Sequence, residues 1–219
     1  MKSKELSFFI LAFLFIAIIC GCKDSPTEPN PCDDDSSNVI VYKPNIYIYP
    51  TESLNLEVNI LFVSGGHVTT SIPLYNSGWD VTVKPNGIID DEYQYLFYEC
   101  DVPDLFQKKA GWLVNKESLN SFFINNLKFS GFSTKEIKDF TDYWIPKLTQ
   151  FDYYAIYPQY TLDIEKMILL NFSKEPDNIF RLFYYIKGRD NNQLKLKQPI
   201  IESSKREKYY IMEWGVIIK

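Results

Sequence analysis

Leu54-Asn55-Leu56-Glu57-Val58-Asn59-Ile60-Leu61-Phe62 is the stretch that decides the fold. Leu54, Leu56, Val58, Ile60 and Phe62 alternate with Asn55, Glu57, Asn59 and Leu61. A period of two places the first set on one face, so the segment reads as a strand with one side buried. Gly65-Gly66 then signals a turn, and the β-branched run from His67 to Ile72 suits a return strand. Trp79 to Val83 alternates again, and Pro85-Asn86-Gly87 turns the chain. Tyr93 to Glu99 continues as an aromatic strand.

A helical segment interrupts this pattern. Leu119, Phe122, Phe123 and Leu127 fall at helical spacing after Lys116-Glu117-Ser118. Ser133-Thr134-Lys135-Glu136 is a capping box ahead of Ile137, Phe140 and Trp144, and Pro146 should end or kink that helix. Strands resume at Tyr153–Tyr157, Met167–Phe172, Ile179–Ile186 and Tyr209–Ile218. The expected fold is α+β and mainly β: sandwich-like antiparallel sheets with a helical hairpin, near residues 116–149, packed against them.

Of the 219 residues, 46% are hydrophobic and 23% charged, a globular balance rather than a disordered one. The formal net charge of −5 disfavours nucleic acid, which wants a basic patch. Sixteen Tyr and sixteen Phe are a high aromatic load. It suits cross-strand pairing, and exposed coplanar rings would suit stacking against a sugar.

The first residues read as an export signal. Lys2 and Lys4 precede an apolar run from Leu6 to Ile19, too short for a membrane span of roughly 20 residues. Its ending, Ile19-Cys20-Gly21-Cys22, resembles the bacterial lipobox, which implies cleavage after Gly21 and lipidation of Cys22 by acyl chains such as palmitate. Each buried CH₂ would hold the chain to a membrane by about 0.8 kcal/mol. Residues 1–21 are then a signal peptide, 22–38 a Pro-, Ser- and Asp-rich tether, and 39–219 one globular domain. Asp33-Asp34-Asp35 lacks the turn glycine and distal Glu of a calcium loop and reads as an acidic spacer. Lys23-Asp24 also resembles, in part, the surface-export signal of some bacterial lipoproteins, although Ser25 breaks the pattern. The expected address is the cell envelope, with the outer membrane favoured and its periplasmic or surface face open. Cys32 and Cys100 remain as either a disulfide, contributing roughly 4 kcal/mol by loop entropy, or two thiols.

Catalytic equipment is sparse. His67 is the only histidine, Gly-x-Ser-x-Gly is absent, and the remaining cysteines form no Cys-x-x-Cys pair. Neither phosphate-binding glycine motif occurs, so no nucleotide, cofactor or metal is expected. Glu99 and Glu213, both on aromatic strands, are the candidate pair for glycoside cleavage if their carboxyls stand about 5–9 Å apart. The competing reading bonds each to backbone or to a cation, with Arg181 a candidate partner.

Lys43-Pro44-Asn45-Ile46-Tyr47-Ile48-Tyr49-Pro50 resembles the opening motif of an uncharacterised family of exported bacterial proteins with fungal relatives. The resemblance continues, in order, through Tyr75 to Val81 with Pro85-Asn86-Gly87, Tyr95-Leu96-Phe97-Tyr98-Glu99, Tyr143-Trp144-Ile145-Pro146, Lys174 to Asp177 with Arg181-Leu182-Phe183, and Glu213-Trp214-Gly215. Cys100 and Val216 stand where that family has Gly. The resemblance implies one globular unit and marks residues without supplying a substrate. The expectation is therefore a non-catalytic binding or envelope-assembly module for a glycan or an envelope protein. A carboxylate-dependent glycan hydrolase is the alternative.

Overall fold

The computed structural model describes residues 37–219. Cys22 and Cys32, with the signal and nearly all of the tether, lie outside the described residues. In chain order the elements are β1 (Asn38–Tyr49), β2 (Leu54–Phe62), β3 (His67–Ile72), β4 (Trp79–Val83), β5 (Leu96–Pro103), β6 (Trp112–Asn115), α1 (Leu119–Phe129), α2 (Thr134–Trp144), β7 (Tyr153–Tyr160), α3 (Thr161–Ile164), β8 (Ile168–Phe172), β9 (Asn178–Arg189) and β10 (Tyr210–Ile218). The fold is mainly β. A seven-stranded mixed sheet runs β3-β5-β1-β10-β9-β7-β6, and a three-stranded antiparallel sheet runs β4-β2-β8.

The alternation that opened the sequence is realised in β2, whose Leu56 and Val58 are buried while Asn55 and Glu57 are exposed. Its apolar face joins Trp79, Val81 and Val83 of β4 and Ile168 of β8. Together they pack on Ile46 and Ile48 of β1, Leu96 and Tyr98 of β5, and Ile211 of β10. This is the sandwich core. The opposite face of the large sheet is covered by the helical hairpin, where Phe123 and Phe140 meet Tyr184 and Trp214. The large sheet is thus buried on both sides. That explains why Phe180–Ile186 and Ile211–Ile217 are buried without interruption: a strand covered on both faces needs no polar alternation.

The capping box forms as the sequence predicts. Ser133 accepts from the Glu136 backbone N–H, and Glu136 accepts from that of Ser133. Pro146 sits in a single 3₁₀ turn, Ile145–Lys147, that closes α2.

One pairing departs from the antiparallel pattern. β10 lies parallel to β9, with Glu213 opposite Arg181. Parallel neighbours need a long return path, here residues 190–209. The return is pinned rather than loose. Ser204 N–H donates to Ser130 O at 3.1 Å and Gly111 N–H to Lys197 O at 2.9 Å. Arg206 Nε donates to Gly131 O at 2.7 Å, and its guanidinium pairs with Glu136.

β1 carries a bulge that sets up the site described next. Between Val41 and Asn45 the strand advances four residues while β5 advances three, from Cys100 to Phe97. The extra residue switches the inward face from Val39 and Val41 to Ile46 and Ile48. Lys43 absorbs the change with a φ of +51°, a left-handed conformation uncommon outside glycine.

Candidate functional site

Glu213 sits in the sandwich core with none of its surface exposed. Arg181 Nε pairs with its Oε2, and Tyr98 Oη donates to its Oε1 at 2.9 Å. Arg181 Nη1 donates onward to the Ile168 carbonyl of β8, so the guanidinium also ties the two sheets together. Burial alone would lower the Arg181 pKa, but Glu213 and Tyr98 outweigh it and the net shift is upward. Burial, with the Glu213 charge beside it, pushes the Tyr98 phenol far above its usual range. Both oxygens of this carboxylate are thus engaged inside the core.

Glu99 lies elsewhere. Glu213, Ile46 and Leu96 are directly paired across β10, β1 and β5, so they share a face. Glu99 is an odd number of residues from Leu96 on the same strand and projects from the other face. The two carboxylates therefore have the sheet between them and do not form the pair that glycoside cleavage requires. Arg181, named as a partner for a strand carboxylate, does pair with Glu213.

Glu99 instead lies beside Lys43, which lines a cleft of about 520 Å³ together with Tyr93, Tyr95, Phe97, Asp139 and Tyr143 among others. The bulge lifts Lys43 over it. Its Nζ stands 4.8 Å from the Tyr143 ring centroid, 4.9 Å from Phe97 and 5.4 Å from Tyr95. All lie within about 6 Å, where a ring face attracts a cation. Lys147 Nζ approaches Tyr143 as well, at 4.3 Å. Neither ammonium forms an ion pair among the described residues. Burial lowers the Lys43 pKa, opposed by the charges of Asp139 and Glu99. Burial raises that of Glu99, opposed by the Lys43 backbone N–H and ammonium. Asp139 is already engaged, accepting from Tyr47 Oη at 3.0 Å and pairing with Lys135 at 2.9 Å.

Asn45 lies beneath these groups. It is paired with Phe97 on one side and Trp214 on the other, so its side chain shares their face. It is fully buried, yet neither amide atom completes a hydrogen bond among the described residues. The amide does approach the Tyr47 and Tyr95 hydroxyls closely enough to favour their ionised forms against burial. The indole N–H groups of Trp214 and Trp144 are also unpartnered. Buried polar groups that lack a direct partner are commonly satisfied by ordered water.

Three of the segments quoted from the sequence thus converge: Lys43 to Asn45, Tyr95 to Glu99, and Tyr143. Nothing in the sequence marks Lys43 or Asn45 individually. Trp79, Trp144 and Trp214, at 3%, 2% and 0% exposure, are core residues. Tyr95, Phe97 and Tyr143 are only half-buried and present ring surface to the cleft. Cys100 is a buried free thiol on the sandwich side, and its candidate partner Cys32 lies outside the described residues. His67 stands exposed on the edge strand β3. Comparison with protein-family models, curated proteins and solved structures finds no match.

Proposed function

We propose that this chain is a lipid-anchored envelope protein whose globular domain is a non-catalytic binding module for a glycan or another envelope protein, with the Lys43 cleft as its ligand site. The anchoring half rests on the Ile19-Cys20-Gly21-Cys22 sequence. The binding half is carried by one observation: the Lys43 ammonium, without an ion pair among the described residues, stands in a cleft walled by the half-buried rings of Tyr95, Phe97 and Tyr143. A cleft lined by aromatic rings with a few convergent polar groups is a common form of ligand site. The hydrolase reading loses its support, because Glu213 is consumed by Arg181 and Tyr98 on the far side of the sheet.

The test is a glycan-array and envelope pull-down screen with the full chain in detergent, alongside Tyr143→Ala and Glu99→Gln. Binding that Tyr143→Ala abolishes, with no turnover of the bound glycan, is expected. Hydrolysis lost in Glu99→Gln would restore the enzyme reading. Binding indifferent to Tyr143 would move the site away from the cleft.

A further inference from the structure

The two sheets end in four edge strands, β3 and β6 in the large one and β4 and β8 in the small one. Three of these edges make bonds beyond their ladder partner. In β4 the Thr82 N–H donates to Asp90 Oδ1 at 2.7 Å, and its carbonyl accepts from the Asp90 N–H at 2.9 Å. The Arg181 guanidinium holds the Ile168 carbonyl of β8. Gly111, just ahead of β6, donates to Lys197 O in the return segment. Among the described residues, no backbone group of β3 bonds to any element but β5. Natural sheets guard such an edge with Lys, Pro, a bulge or a cover. β3 has the bulge alone: Thr69 is an extra residue opposite the step from Cys100 to Glu99. Beyond it, Thr70-Ser71-Ile72 runs in register with Glu99, Tyr98 and Phe97, uncharged and with Thr70 and Ile72 exposed.

This open edge meets the cleft. Trp214, Asn45, Phe97 and Ile72 are paired directly across β10, β1, β5 and β3, so they form one row on the hairpin side of the sheet. Ile72 ends that row, is 53% exposed, and lines the cleft with Phe97. A further strand would lie about 4.8 Å away, and its residue in this row would stand at the cleft mouth.

We propose that Thr70–Ile72 is a docking edge for an extended segment of another protein, which adds an eighth strand to the large sheet and sets an apolar side chain against Ile72 at the cleft mouth. The proposal rests on the binding reading above and selects its protein arm for the same cleft. A row of N–H and carbonyl groups on an open edge is the natural complement of another extended backbone. Ile72 suits a β-branched or aromatic neighbour, because such cross-strand pairs stabilise a sheet. The lining sets Lys43 against Glu92 and Asp139, so a charged side chain of either sign would meet a like charge there. A second copy of the chain fits less well. Antiparallel self-pairing about Ser71 would set Ile72 against Thr70, and the next position would set Pro73, which lacks an N–H, against the bulged Thr69.

The test is selection of a phage-displayed random nonapeptide library on the full chain in detergent, followed by calorimetric titration of the best synthetic peptide. The selected peptides should share a β-branched or aromatic residue at one fixed position. Ile72→Lys and Thr70→Lys should each weaken the peptide at least about tenfold, the scale of one or two hydrogen bonds, while Ile72→Val keeps most of the affinity. Unchanged urea midpoints for the three variants would show that the fold is intact. Amide exchange at Thr70–Ile72 should slow when the peptide binds, and N-methylation of alternate peptide residues should abolish binding. Peptides that bind without that protection, or that ignore both Lys variants, would overturn strand addition. So would a library that yields no binder, or peptides that share a charged residue instead. Self-association of the chain that Ile72→Lys abolishes would also overturn it and give the edge to a second copy. The glycan array and pull-down with Tyr143→Ala decide separately whether the cleft binds anything.

Discussion

Arg181 and Glu213 stand opposite each other on the parallel strands β9 and β10 and form an ion pair that exposes 1% and 0% of the two side chains. Taking two charges into a core costs about as much as their attraction returns, but breaking such a pair leaves a lone buried charge. Glu213→Leu should therefore destabilise the domain by about 3–5 kcal/mol, and the double variant Arg181→Met with Glu213→Leu should recover most of that loss. Urea denaturation of the three proteins checks it. A single variant within 1 kcal/mol of the parent, on the order of surface substitutions, would contradict the geometry.

Glu99 gives a pH signature. Burial raises its pKa above the ordinary 4.5, so the folded state holds the proton more tightly than the unfolded chain. The stabilisation from that proton is fully present below 4.5 and is lost as pH rises through the raised folded value. Glu99→Gln should therefore remove a fall in stability in the window just above 4.5. Urea midpoints measured across that window for both proteins should diverge on the alkaline side, with the variant more stable. Parallel curves would mean that Glu99 is solvated like an ordinary surface carboxylate.

Asn45 tests the packing beneath the cleft. Its amide is fully buried and completes no hydrogen bond among the described residues, although the Tyr47 and Tyr95 hydroxyls lie close. Asn45→Val removes that cost of about 1–3 kcal/mol and places a β-branched residue in a strand. Thermal and urea unfolding should show stability unchanged or raised. A loss of more than about 1 kcal/mol would indicate that the amide is held by partners and belongs to the framework.

Cys22→Ala addresses the anchor. The precursor should stay unprocessed and take up no labelled fatty acid, whereas Cys20→Ala should be lipidated normally. Normal labelling of the Cys22 variant would remove the lipoprotein assignment.

Much of the architecture was legible because it is periodic. β2 and β4 alternate strictly, and Ser133 with Glu136 announces the start of α2 as a local chemical pattern. The parallel placement of β10 was not legible. A strand buried on both faces reads Ile-Met-Glu-Trp-Gly-Val-Ile whichever way its neighbour runs, and direction depends on where a distant segment docks. The cleft was hidden for a related reason. Lys43 looks like an ordinary residue before Pro44; only the one-residue mismatch between β1 and β5, a long-range register, turns it over Phe97 and Tyr143. Glu99 and Glu213 looked equivalent by composition. The odd count of residues separating Glu99 from the row shared by Glu213, Ile46 and Leu96 set them on opposite faces.

The place of β10 in the large sheet bears on the order in which the chain can fold. It follows every other strand in the sequence, yet it lies between β1 and β9. Without residues 210–218, the strand order leaves β3-β5-β1 and β9-β7-β6 unjoined, each with a bare inner edge. The buried ion pair cannot form either, since Glu213 arrives with β10. Completion of the seven-stranded sheet is thus coupled to the arrival of β10.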